Sequence, residues 1–204
     1  MAANGKSHVT PETIKLWGGS ACLDFANSAD WDEDDVPIPA TDALTSRAAL
    51  ARWGRRLGVV GRRAPAVGEE ELAAALALRL VLHRLFSALA EGRRPRRGDL
   101  EALARDHAEA AGAARIAQAD DGGWRLEWPA SDPRRVRFAV AVDAMALLAD
   151  PARLERVHRC PGPRCGWLFL DTSGRRRWCS MATCGSRVKM RRLYERKRQA
   201  ERRK

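Results

Sequence analysis

Residues 159–192 read RCPGPRCGWLFLDTSGRRRWCSMATCGSRVKMRR, and four of the chain's five cysteines fall inside them, at Cys160, Cys165, Cys179 and Cys184. The spacing is C-x4-C-x13-C-x4-C, two short pairs at the ends of a hairpin-length insert. Zinc accepts four soft thiolates tetrahedrally, and two such pairs can close one site. The alternative is four buried or redox-active thiols without metal. Pro161, Gly162 and Pro163 supply a tight knuckle between the first pair. Residues 167–170 (WLFL) have strand composition, 171–174 (DTSG) have turn chemistry, and 175–178 are expected to return as the second strand. Cys184 then opens a basic helix.

Knuckle, hairpin and helix, in that order, is the layout of a treble-clef zinc finger. A finger of this size builds little core of its own, so one structural Zn2+ is expected to hold hairpin against helix. A closed four-sulfur shell leaves no position for water, and residues 166–204 contain no histidine that could activate one. Zinc catalysis is therefore disfavoured, and with no P-loop, nucleotide-binding glycine fingerprint or H-E-x-x-H in the sequence an enzyme is not expected. His158 is read as a surface residue or a neighbour of the ligands, and Cys22, far from the others, as a small core residue.

Charge separates the chain at Asp150. Residues 1–150 carry 20 basic and 22 acidic side chains, whereas residues 151–204 carry 17 and 4, so the overall +11 of the 204-residue chain is confined to its last quarter. Codon bias can inflate arginine but cannot segregate it. A local excess of this kind speaks of a polyanionic partner. At 100° per residue, Met190, Leu193 and Tyr194 form one stripe of the basic helix. Arg187, Arg191 and Arg198 flank the stripe on one side, with Lys189, Arg192 and Arg196 on the other. Arg175, Arg176 and Arg177 add a basic point on the hairpin. Arginine suits bidentate contact with phosphate or guanine, which favours duplex DNA. RNA or nonspecific nucleic-acid binding, and a protein-interaction finger, remain the competing readings, because a basic patch specifies charge better than sequence.

Upstream, periodicity is helical. Ser46 is placed to cap a helix reaching about Leu57, residues 69–90 form the central helix behind an acidic first turn, and 99–111 form another. Residues 116–129 read as a hairpin around DDGG, and Asp132-Pro133 opens a buried helix to about Ala149. The expectation is a mainly α N-terminal domain (1–150) with a small β-hairpin, followed by a treble-clef-like finger (151–204), an α+β whole. The first part is expected to fold without the second. No run of about eighteen apolar residues suggests a membrane span, and MAANGKSHVT lacks the apolar core of an export signal, so a cytoplasmic location is expected.

The cysteine segment resembles the CGNR-type zinc finger of bacterial transcription regulators through its four cysteines, the Trp-Leu-Phe-Leu-Asp strand, the Arg-Arg-Trp-Cys-Ser return and the Ala-Thr-Cys-Gly that opens the helix. Ser186 stands where the family usually has Asn, which bears on any base contact of that Asn but leaves a phosphate contact open to serine. Residues 19–28, GSACLDFANS, resemble the ABATE domain that precedes this finger. The resemblance implies a stress-linked DNA-binding regulator with an upstream domain of sensory role. Trp17, Asp24, Asn27 and Trp31 are the candidate residues for a small-molecule effector pocket, with a satisfied core network as the competing account. A homodimer is compatible with this reading.

Overall fold

The computed structural model describes residues 9–61, 65–119 and 121–202. Residues 1–8, which make up most of the segment read above for an export signal, lie outside that range, as does Asp120 of the DDGG turn. The elements in chain order are α1 (Ala21–Ala26), α2 (Arg47–Arg56), α3 (Glu69–Ala90), α4 (Arg97–Ala113), β1 (Arg115–Gln118), β2 (Trp124–Glu127), α5 (Arg135–Leu148), α6 (Pro151–Leu154), β3 (Val157–Arg159), β4 (Leu168–Leu170) and α7 (Ser186–Glu201). A π-helical turn, Met181–Gly185, leads into α7.

The central helix is α3. Three glutamates in its first turn complement the helix dipole, and Leu78, Val81, Leu82, Leu85 and Phe86 bury most of its circumference against α1, α4 and α5. By length and mean hydropathy α3 could cross a membrane, although charged residues interrupt its apolar run. Its polar residues explain its place in a core instead. Arg79 forks onto Asp42 at 2.7 and 2.8 Å, and Glu71 meets the Arg137 guanidinium of α5 at 3.1 Å, which Asp106 and Glu109 also contact. Ser46 caps α2 through the Ala49 N–H at 3.2 Å, as its position predicts. Asp99 does not cap α4; it lies inside the first turn and pairs with Arg84.

Two antiparallel hairpins complete the chain. β1 and β2 pair Ile116 with Leu126 and Gln118 with Trp124. In the C-terminal segment the strand partners differ from expectation: β4 pairs with β3, in the register Val157↔Leu170 and Arg159↔Leu168, and residues 175–178 form no strand. The reason lies in Asp171. Its carboxylate accepts the N–H groups of Ser173 and Arg176, at 3.0 and 2.9 Å, which curls the return into turns before a ladder can form.

The hydrophobic core crosses the proposed boundary at Asp150. Val157, Leu168 and Leu170 are buried in one cluster with Leu23, Phe25, Leu82 and Leu147, and a second cluster joins Ile14 and Trp31 to Phe169, Trp167 and the four cysteines.

Candidate metal centre and basic helix

Cys160 directly follows β3, Cys165 closes the knuckle, Cys179 ends the return and Cys184 lies in the π-turn. All four are buried, and their sulfurs lie within 4.8 Å of one another. Cys165 Sγ is 3.7 Å from Cys179 Sγ, and Cys179 Sγ is 3.7 Å from Cys184 Sγ. These separations are far too long for disulfides. They match the edge of about 3.8 Å that a sulfur tetrahedron has when its arms are about 2.3 Å, the zinc–thiolate length. The four cysteines could hold one zinc ion. Packed this closely, the thiols divide their acidities: Cys160 is pulled down, first by its hydrogen bond with Cys165, and Cys165 and Cys179 are pushed up, first by Cys160.

The knuckle is tight enough to require its glycines. A Cβ on Gly162 would meet Cys184 Sγ at 2.9 Å, and one on Gly166, already at φ +62°, would meet the Trp31 Cβ at 2.7 Å. The N-terminal half grips the knuckle at several points. Trp31 N–H donates to the Cys165 carbonyl at 3.2 Å, and its ring stacks on His83 of α3 at 3.6 Å between centroids. His83 Nε2 lies 3.0 Å from the Gly166 carbonyl, and burial lowers its pKa to about 3, so the ring is neutral and donates there. His158 is exposed, with its ring beside Phe169.

Three of the four residues considered for an effector pocket are hydrogen-bonded within the fold. Asn27 acts as a strand for β4: its Nδ2 donates to the Leu168 carbonyl at 2.7 Å and its Oδ1 accepts the Leu168 N–H at 2.8 Å. Asp24 accepts the Gly18 N–H at 2.8 Å, while the Gly18 carbonyl accepts from Leu170 N–H at 2.8 Å. Burial raises the Asp24 pKa to about 6, against the lowering effect of the Gly18 bond. Trp31 bonds the Cys165 carbonyl, stacks on His83 and lines a crevice along the knuckle. Trp17 lines a second crevice, its ring tilted against Trp167 at 5.8 Å, with Ile14, Lys15, Asp30 and Thr41 beside it. Those residues carry no local signal, because the crevice is assembled from segments far apart in sequence. Asp143 was missed for the same reason: its carboxylate accepts Ser20 Oγ at 2.5 Å and the Cys22 N–H at 2.8 Å, holding the start of α1.

The arginine set also divides. Arg176 turns inward, where its guanidinium donates to the carbonyls of Leu170, Trp17 and Cys179 at 3.0, 3.0 and 2.7 Å and lies 4.5 Å above the Phe169 ring. That engagement removes it from the outward-facing cations. Arg175, Arg177, Ser186, Arg187, Lys189, Arg191, Arg192, Arg196 and Arg198 are all exposed. Ser186 Oγ donates to the Met181 carbonyl, and Arg191 forms an i,i+4 pair with Glu195 at 2.9 Å. The apolar stripe stays largely open among the described residues: Met190, Leu193 and Tyr194 are 46%, 45% and 60% exposed. The π-turn is the principal neighbour of α7.

Residues 19–151 match the family ABATE, described as "Putative stress-induced transcription regulator", and residues 156–197 match the CGNR zinc finger. No curated protein matches the chain.

Proposed function

The chain belongs to the ABATE family and carries a CGNR zinc finger, and on that premise we propose that its finger presents α7 to duplex DNA as part of a transcription regulator. The observation that carries this reading is the exposure of α7. It is a 16-residue helix with seven basic side chains against two acidic ones, all turned to solvent. An α-helix fits the major groove, and cations along both of its edges can reach the phosphates on either side. Arg187, Arg191 and Arg198 form one edge, and Lys189, Arg192 and Arg196 the other. The exposed stripe between them is available to base edges, including thymine methyl groups. Arg175 and Arg177 stand on the return loop as a further phosphate contact. The cysteine centre serves this arrangement by fixing where α7 leaves the finger, and with four protein ligands its role is structural.

If about five phosphates are neutralised, log affinity falls against log salt with a slope of roughly −4 to −5. Replacing Arg191 and Arg192 by alanine weakens duplex binding and flattens that slope by up to about two units, with metal content and thermal stability unchanged. A double variant that keeps the wild-type slope overturns the reading. So does single-stranded RNA that competes as strongly as duplex DNA of equal charge.

A further inference from the structure

Beneath the start of α7 lies a crevice of about 300 Å³ between the N-terminal segment, the Trp17–Trp167 pair and the π-turn. That volume is at the lower end of small-molecule sites, and the composition of the walls fits one: apolar and aromatic surface from Ile14, Trp17 and Trp167, with a few polar groups.

The distribution of charge in the crevice is uneven. Asp30 is half-buried, and its backbone N–H donates to Thr41 Oγ1 at 2.9 Å. Among the described residues no cationic nitrogen forms an ion pair with its carboxylate; burial raises its pKa, and Arg187 through space and a hydrogen bond from the Trp167 side chain oppose that rise. Cys165, Cys179 and Cys184 form the wall behind. With zinc in place, four thiolates and one divalent ion leave that wall a formal −2. The positive groups that line the crevice, Lys15 and Arg187, are both exposed, and long side chains of this kind can turn outward into water. The interior is thus negative and aromatic, and the indole faces of Trp17 and Trp167 add the quadrupole attraction that recognises organic cations. A carboxylate ligand would meet repulsion from both Asp30 and the sulfur wall.

We propose that this crevice binds a small organic cation, an ammonium group on an aromatic or apolar body, and that its occupancy strengthens the hold of α7 on DNA. The second half rests on the DNA reading above. A cation beside Asp30 neutralises the charge that draws Arg187 toward the crevice and adds a positive charge at the base of α7. Both effects favour phosphate contact. By linkage, DNA then tightens the binding of the cation by the same factor.

Three probes of similar shape separate the chemistry: 2-phenylethylammonium, 2-phenylethanol and 3-phenylpropanoate, titrated calorimetrically into the full-length zinc-loaded protein. The ammonium is expected to bind about tenfold or more tighter than the alcohol, with the propanoate weakest, in line with a cation desolvated against aromatic faces and a carboxylate. Asp30→Asn removes the preference for ammonium over alcohol, and Trp17→Ala weakens both. Metal content and the thermal midpoint verify that each variant is folded. Saturating ammonium raises duplex affinity about fivefold or more, the lower range of allosteric couplings, and Asp30→Asn raises it without any ligand. No ammonium preference, a propanoate that binds best, or an unchanged preference in Asp30→Asn overturns the proposal, while salt-dependent duplex binding would still stand by itself. Ammonium binding that depends on Asp30, in a protein that ignores duplex DNA, supports the site and overturns the DNA reading.

Discussion

Asp24 illustrates how one buried carboxylate can serve the fold and still oppose it. It accepts the Gly18 N–H, and Gly18 in turn accepts from β4, so the side chain helps to hold the finger against α1. Burial nevertheless raises its pKa from 3.8 to about 6. The folded state therefore binds the proton more tightly than the unfolded chain does, and the stability this contributes at low pH is lost as pH rises through about 6. Asp24→Asn keeps the acceptor oxygen and removes the charge. It is expected to stabilise the protein by about 1–3 kcal/mol at pH 7.5, an advantage that shrinks below pH 6 and vanishes near pH 4. Urea titrations of both proteins across that range provide the test, and a difference independent of pH would refute the account. The motif around Asp24 and Asn27 was legible in the sequence, but its use was not. The partner of Asn27 is the backbone of Leu168, 141 residues away, and no local spacing encodes that. The cysteines were legible as a metal site because tetrahedral coordination imposes its own spacing on the chain.

The second strand of the finger shows why an element can be misplaced when its residues are correctly noticed. Residues 175–178 lie at hairpin distance from β4, and alternation alone does not distinguish a ladder from a loop held by side chains. Asp171 and Arg176 decide the matter: one carboxylate captures two backbone N–H groups, and one guanidinium binds three carbonyls. Three consecutive arginines thus occupy different environments, one turned inward and two exposed, which separate experimentally. Arg176→Ala leaves the carbonyls of Leu170, Trp17 and Cys179 without their donor and is expected to cost about 2–4 kcal/mol of stability, since hydrogen bonds to a charged group are worth about 1.5–3 each and are not additive. Arg175→Ala with Arg177→Ala should leave the unfolding midpoint in place and flatten the salt dependence of DNA binding. Equal effects from the two variants, in either assay, would show that the structural division between these arginines is mistaken. The helices were more legible than the strands, because α2 carries a side-chain cap and α3 and α5 are long, largely apolar runs of 22 and 14 residues.

Charge and chain order suggest a separable N-terminal domain, and the arrangement of the core argues otherwise. A change in net charge at Asp150 reports on the surface, whereas folding independence depends on which apolar side chains share a cluster. Leu23, Phe25 and Leu82 are covered by Val157, Leu168 and Leu170, and Ile14 and Trp31 by the knuckle and Phe169. Each large apolar side chain uncovered by removing residues 151–204 forfeits about 1.5–3 kcal/mol, against a total stability of about 5–15 kcal/mol for a domain. A chain ending at Asp150 is therefore expected to keep its helical far-ultraviolet signal and to lose its near-ultraviolet signal and cooperative melting. The same sharing couples metal to fold in the full-length protein. Trp31 and His83 hold the knuckle through the carbonyls of Cys165 and Gly166, so chelation of zinc should lower the midpoint of one common transition, monitored both by Trp fluorescence and by helical content. Two transitions, with the finger melting first and the helical half unchanged by chelator, would establish that the halves fold separately.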